Sequence, residues 1–357
     1  MIKAEIIADS ISPFNNRLTT FVITLPRIIL AELNTHRALS KNSASSRAIP
    51  FNKPNRPVDM MRLVKENPFV PIAWMIDHEG MQGTQYFSED QVKDLLLVED
   101  WLEARTTILN IAKSFHDKGL TKQIVNRLIE PFLWHTVIVT GSEWENFFAL
   151  RNHPAADIHI QELAKKMMDV YNASTPKSLM AGEWHIPFGD KFDENRVAKA
   201  AGFASLGYTN YSKELEIQTK IKIATARCAR VSYLNFDGKD DYNADLKLYN
   251  QLLVGGHMSP FEHCARVMSR DEWFKWTISY PFDELKLNHE SEDLGEQIVI
   301  SEEGKPGSKI IEPGWCGNFR GFVQLRKTLA GENRKDPRLV KKQYSLNTNE
   351  KENPVLN

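Results

Sequence analysis

Residues 18–25 read LTTFVITL, with Phe21, Ile23 and Leu25 on one side of the alternation and Thr20, Val22 and Thr24 on the other. Such a pattern predicts a strand with one buried face, and Pro26 stops it because proline has no N–H for a sheet ladder. The period then changes. In RIILAELNTHRALS, residues 27–40, the positions Ile29, Leu33 and His36 share a helical face, so His36 is expected on the continuation of a buried stripe. Residues 41–50 are serine-rich and aperiodic, which predicts a loop.

Downstream, residues 88–118 predict one long helix, with Ala104, Ile108, Ile111 and Phe115 on its apolar face and Gly119 placed as its C-terminal cap. A second helix is expected over 122–130, a strand over 134–140 and a short helix over 143–151. An amphipathic helix should carry Ile160, Leu163, Met167 and Val170, and residues 244–254 should form another, ended by Gly255-Gly256. Between 176 and 244 the texture is mixed. Residues 283–313 are polar and acidic and contain glycine, so an insertion or mobile flap is expected there, and residues 331–357 read as a frayed, disordered tail. Helices dominate, with a few strands, so residues 1–330 are expected to form a single domain of mixed α/β class.

Composition narrows the function. The 357 residues carry 45 Lys+Arg against 46 Asp+Glu, which removes the global basic field expected of a protein that binds nucleic acid or an anionic membrane. Any anion must be held by a local cluster. The three cysteines Cys228, Cys264 and Cys316 are too few and too scattered for a disulfide framework or a paired-cysteine zinc site, so a reducing, cytoplasmic setting is expected and no metal. Neither a secretory leader nor a membrane span is read from the pattern, since acidic residues interrupt the apolar start MIKAEIIADS.

Neither GxGxxG nor GxxxxGK[ST] occurs. The densest polar constellation is residues 36–47, HRALSKNSASSR, where two arginines, a lysine and four serines follow an apolar helix. Guanidinium forks, hydroxyls and free backbone amides in such a loop can surround a phosphate or an anionic ring.

The pattern HRxxSxNxxSxR from His36 to Arg47 resembles the signature of the flavin-dependent thymidylate synthases, the ThyX family. Three further segments are similar to the same family: GLTKQIVNRLIEP at 119–131, NFFALR at 146–151 with the following IxIQELA helix, and RCARVS at 227–232 leading to HMSPFEH at 257–263. In the usual arrangement the ARxS and PFEH elements precede the signature, whereas here they follow it, so the chain looks circularly permuted. The resemblance implies a small, mainly antiparallel sheet flanked by helices, and a homotetramer with active sites between subunits. It also implies FAD as cofactor, with NADPH and methylenetetrahydrofolate as co-substrates, for the C5 methylation of dUMP. Carried over by position, Arg151 matches the arginine that activates the pyrimidine. Arg127, Ser45, Ser46 and Arg47 match substrate-binding positions, and His36, Arg37, Asn146, His257 and Ser259 match flavin contacts.

Three nucleotide-facing positions depart from the family. Thr35 stands for arginine, Ser43 for glutamate and Glu32 for glutamine, while Ser142 and Asp157 replace an arginine and a glutamine nearer the flavin. These departures leave open another pyrimidine nucleotide such as dCMP, or transfer of a hydroxymethyl group. To complete the altered site, the stretch WCGNFRGFVQLRK at 315–327 is expected to fold back beside residues 36–47 and supply Gln324 and Arg326. Other classes of answer are a catalytically inactive nucleotide-binding homologue, a metal-dependent hydrolase, for which His257 and His263 lie close in sequence without forming a helical ligand pair, and a cysteine-nucleophile synthase. The last would need an activated thiol, whereas Cys264 sits in an apolar strand context.

Overall fold

Two strands open the chain, β1 (Lys3–Ile11) and β2 (Arg17–Pro26), paired antiparallel across the turn at Ser12–Asn16. They form the middle of a five-stranded sheet with β3 (Ser40–Ser43), β4 (Trp134–Gly141) and β5 (Lys177–Ser178), in the order β3-β4-β2-β1-β5. Every pairing is antiparallel except β1 with β5. The sheet is small, mainly antiparallel and flanked by helices, as expected. The computed structural model describes residues 1–53, 59–80, 83, 85–202, 213–232, 238–281, 299–300, 309–330 and 332.

Helices cover both faces. Phe21, Ile23, Leu25, Val137 and Val139 are buried against α1 (Leu30–Thr35), α6 (Glu145–Arg151) and α7 (Ile158–Ala173) through Leu33, Phe147, Ile160, Leu163 and Met167. The opposite face, with Ile7 and Ile138, packs on α9 (Lys213–Arg230) and α10 (Tyr242–Val254) through Ile221, Ala224, Cys228 and Tyr249. Between β3 and β4 the chain makes a helical excursion, α2 (Met60–Glu66), α3 (Glu89–Asp94), α4 (Leu97–Asp117) and α5 (Lys122–Leu128), with its own core around Val64, Leu109, Val125 and Phe132. Beyond β5, β6 (Trp184–His185) leads to α8 (Glu194–Ala200), and β7 (Ala265–Val267) lies between β6 and the later β13 (Phe322–Gln324).

Several expectations are corrected. The helix read over 27–40 is a 3-10 turn at Arg27–Ile29 followed by α1, which stops at Thr35. The Thr35 hydroxyl donates to the Glu32 carbonyl at 2.6 Å, the local competition that makes threonine a poor helix former. Residues 41–50 are not wholly a loop: Ser40–Ser43 is the edge strand β3, paired from Ser40↔Thr140 to Ser43↔Val137, because β4 offers an open ladder that outweighs the low strand propensity of serine and asparagine. The long helix over 88–118 is broken between α3 and α4, where Leu96 takes a left-handed φ of 54°. The mixed stretch before residue 244 contains α9, whose Lys- and Glu-rich start hides its buried Ile221, Ile223 and Ala224. Of residues 283–313, two segments are strands, Val299–Ile300 and Lys309–Pro313, joined in a three-stranded sheet with Thr277–Pro281. The rest of that segment, and the tail except Glu332, lie outside the described residues.

The polar side of β2 is buried as well. Thr20 and Thr140, both fully buried, bond each other at 2.8 Å, and the chain of hydrogen bonds continues from Thr20 to His185 Nε2 (2.8 Å), from His185 Nδ1 to Ser10 (2.9 Å), and from Thr140 to His263 Nδ1 (2.8 Å). Hydroxyls that alternation assigned to solvent are absorbed by two histidines of the second layer, which satisfies groups whose burial would otherwise be costly. Burial lowers His185 to about 4 and His263 to about 3. His135 on β4, also beside the Arg27 guanidinium, falls to about 4.

These values set a pH dependence. An unfolded histidine titrates near 6.5, so from there down to about pH 4 the unfolded chain holds protons that the folded chain refuses. Folded-state values below the unfolded one mean that stability falls as pH falls, by about 1.4 kcal/mol per pH unit for each of the three. Urea unfolding at pH 7, 6 and 5 should show the midpoint dropping, and His185→Gln should make the drop shallower. A midpoint that stays constant over that range contradicts neutral burial of these rings.

Candidate functional site

His36 caps the C-terminus of α1. Its ring stands edge-on to Phe147 of α6, with centroids 5.0 Å apart, and its Nε2 accepts a hydrogen bond from Arg151 Nε at 2.8 Å. Since a guanidinium only donates, Nε2 is the bare nitrogen and the neutral ring carries its proton on Nδ1. Burial, then the Arg151 and Lys41 charges, hold the His36 pKa below its ordinary value. A terminal nitrogen of Arg151 also donates to Thr35 Oγ1 at 2.9 Å. Helix α6 thus presents Arg151 at its last turn, aimed back at the end of α1.

Strand β3 carries the signature between two layers. Leu39 is buried in the core with Phe21 and Trp144, and strand parity places Lys41 on that same face, toward α6. Ser40 and Asn42 turn the other way. Asn42 Nδ2 donates to the Cys228 carbonyl at the end of α9 (2.7 Å), and its Oδ1 accepts from the Ser259 hydroxyl (2.9 Å) in the 3-10 turn Ser259–Glu262. Two segments far away in sequence, RCARVS and SPFE, therefore meet at one asparagine of the signature.

The expected site residues fall into two groups. Arg37, Ser45, Arg47, Arg127, Asn146, His257 and Ser259 are exposed, and Arg151 and His36 are half-buried. Arg47 Nε reaches the Ser45 hydroxyl at 3.4 Å, while no carboxylate pairs with Arg37 or Arg127 among the described residues. The others are committed internally. Ser46 is buried and its hydroxyl donates to Glu130 at 2.6 Å. Gln324 is buried on β13 and donates to Asn318 Oδ1 at 2.5 Å, while Arg326 in the short helix Leu325–Thr328 pairs with Glu262 (2.5 Å) and Glu332 (2.7 Å). The stretch 315–327 does fold beside the signature: Asn318 Nδ2 donates to the Ala38 carbonyl at 2.8 Å and to Ser40 at 3.0 Å. It does so mainly as strands, Trp315–Cys316, Phe319–Arg320 and β13, instead of as a peripheral helix.

Two contributors had a weak signal in sequence. Asn42 was visible only as a signature letter, since its partners lie more than 180 residues away. Lys41 was one cation among several. In the structure it is half-buried, its Nζ donates to the His36 carbonyl, and burial, opposed by the Glu262 carboxylate, lowers it to about 8. The thiols are inert by contrast: all three cysteines are free and buried, with Cys264 pushed up to about 12 and Cys316 to about 11 by burial.

Cavities of about 390 Å³ beside β1 and about 550 Å³ between α8 and the start of α10 lie elsewhere and are lined by none of these residues. What the site offers is an open, cation-rich surface around Arg151 and β3, built for an anion.

Residues 2–177 match the family model Thy1, thymidylate synthase complementing protein. Those residues, just under half of the chain, are similar to the Thy1 family. The match spans the signature, Arg127, Asn146 and Arg151, and leaves His257, Ser259, Gln324 and Arg326 outside it. Among solved structures, the chain is similar to the UMP/dUMP methylase PolB from Streptomyces cacaoi in its complexes with 5-Br UMP and 5-Br dUMP. These are 18% and 17% identical, each with a TM-score of 0.39, over 50% of this chain and 90% and 91% of those chains. No curated protein matches.

Proposed function

We propose that this chain is a flavin-dependent thymidylate synthase of the Thy1 family. It methylates dUMP at C5, taking the one-carbon unit from methylenetetrahydrofolate and the reducing equivalents from NADPH, and releases dTMP, tetrahydrofolate and NADP⁺. The observation that carries this reading is Arg151. It is fixed by His36 and Thr35 at the start of the signature, in a family named for thymidylate synthesis. A guanidinium held there can stabilise the N3-deprotonated uracil, whose added electron density makes C5 nucleophilic without a cysteine. The high thiol pKa values agree with that chemistry.

The donor set fits a flavin dinucleotide. Arg37 has no carboxylate partner among the described residues, His36 lies just before β3, Ser259 bonds Asn42 on it, and Asn146 and His257 stand exposed, a set of donors and acceptors that suits a diphosphate beside a heteroaromatic ring. FAD, when bound, supplies hydride transfer. The chain's own residues bind and orient the substrates: Arg127, Arg47 and Ser45 take the nucleotide phosphate and base, Arg151 holds the ring anion, and Ser46, Gln324 and Arg326 support the loop from beneath. The exposed arginines are left for a homotetramer to cover, with folate entering between subunits, and the compartment is the cytoplasm. No helix of the described residues is long and apolar enough to cross a membrane. The same reading makes the fold a circular permutation of the family arrangement, in which Asn42 reunites the ARxS and PFEH elements with the signature.

A second reading, a 4-amino pyrimidine such as dCMP or hydroxymethyl transfer, is favoured by one observation: Thr35 occupies part of the Arg151 fork. The test is the absorption spectrum of the protein loaded with FAD, followed by NADPH oxidation with dUMP or dCMP. Flavin absorbance and dUMP-stimulated oxidation are expected. A protein that takes up no FAD and oxidises no NADPH with either nucleotide is an inactive homologue, and the proposal falls.

A further inference from the structure

By resemblance, Glu32, Thr35 and Ser43 alter three nucleotide-facing positions in and just before the signature, and the segment expected to compensate does not reach outward: Gln324 is spent on Asn318 and Arg326 on Glu262 and Glu332. One cation is placed to act instead. Lys41 shares the face of β3 that looks to α6, and its Nζ donates to the carbonyl of the same His36 whose ring takes Arg151 Nε. That carbonyl uses one of three ammonium hydrogens, and among the described residues no carboxylate oxygen lies within ion-pair distance of Nζ. Lys41 and Arg151 thus converge on one residue from two elements, β3 and α6, and neither can accept a hydrogen bond.

We infer that Lys41 is a specificity-determining residue of this site, whose ammonium joins Arg151 in presenting only donors to the pyrimidine edge and so selects a 4-oxo ring over a 4-amino one. The inference rests on the proposed nucleotide chemistry and names its substrate class. An N3-deprotonated uracil offers acceptors alone at O2, N3 and O4, which two cationic donors complement. A cytosine turns an N–H toward one of those donors, leaving two desolvated donors face to face, the kind of mismatch that discriminates strongly. The charged group acting on Lys41 from a neighbouring element is Glu262 on the 3-10 turn, already paired with Arg326, while Lys41 and Arg151 both act on His36 and help hold its pKa below the ordinary value. Lys41 titrates at about 8, so its ammonium is lost within a usable pH range.

The experiment is equilibrium dialysis of dUMP and dCMP against the FAD-loaded protein, without turnover. Wild type should prefer dUMP. Lys41→Met should weaken dUMP by roughly 10- to 150-fold, the change that losing one charged hydrogen bond brings, while dCMP affinity holds or rises. Lys41→Gln, whose carbonyl can accept from a 4-amino group, should move the preference toward dCMP. The dUMP affinity of wild type should fall as pH rises through about 8, and Lys41→Arg should remove that component while the nucleotide's own ionisation stays common to both. FAD affinity and melting temperature close to wild type exclude a folding defect, and a variant that fails this check yields to the other two. A dUMP affinity within threefold of wild type in both Lys41→Met and Lys41→Gln, or an unchanged dUMP to dCMP ratio, overturns the inference and leaves the proposed function standing. Wild-type protein that binds FAD but neither nucleotide overturns both.

Discussion

Replacing Arg151 by alanine lowers turnover by roughly two to three powers of ten, the scale of removing a preorganised donor from a developing negative charge. The guanidinium is held in place by two bonds, to His36 Nε2 and to Thr35 Oγ1, so its orientation is set before substrate arrives. Arg151→Lys rescues little, because a point charge cannot hold His36, Thr35 and a ring edge at once. The alanine variant also frees His36 Nε2 and removes a neighbouring cation, so the His36 pKa moves back up toward its ordinary range. Steady-state kinetics with saturating FAD, together with the pH profile of the variant, test both points. Turnover within threefold of wild type returns Arg151 to the role of a surface arginine that merely packs on His36.

The largest effect on stability is expected at Asp245, far from the chemistry. Its carboxylate, only 1% exposed, accepts from Arg227 Nε at 3.0 Å and from the Arg230 guanidinium, and Arg227 is itself fully buried. Arg227 also pairs with Asp240 and lies over the Phe192 and Tyr242 rings. Asp245→Ala leaves two buried cations short of their shared anion, a loss of about 3–5 kcal/mol. Because α9 ends in these arginines and its Cys228 carbonyl holds Asn42, the damage should spread to β3, and FAD affinity should drop with stability. Urea unfolding measures the first effect and flavin titration the second. A loss below about 1 kcal/mol would mean that water reaches the arginines and the pair is not buried in the working protein.

Much of the scaffold was legible because it is local. Alternation placed β2 and β4, the 3.6-residue period placed α7 and α10, and glycine and proline marked their ends. The signature letters from His36 to Arg47, and Arg151 at the end of NFFALR, were legible as consecutive residues, and the fold brings Arg151 onto the first of those letters, His36. Local signals failed where a partner from elsewhere decided the outcome. Ser40–Ser43 reads as a loop and becomes a strand because β4 supplies its ladder. Thr20 of β2 reads as solvent-facing and is buried because His185 arrives to bond it, as His263 bonds Thr140 on β4.

What the sequence by itself determined is the strands β2 and β4 and the helices α4 to α7, the cation-rich signature and the family it resembles. Only the tertiary structure decided which side-chain donors are available to a ligand. Gln324, Arg326, Arg37 and Lys41 look alike as letters, yet Asn318, Glu262 and Glu332 occupy the first two, Arg37 stands in solvent, and Lys41 is drawn toward His36 and Arg151. The physical reason is that a side chain's donors are assigned by whichever acceptors the fold brings within about 3 Å, and for these residues the contacts span from five residues along β3 to more than 60 across the layers.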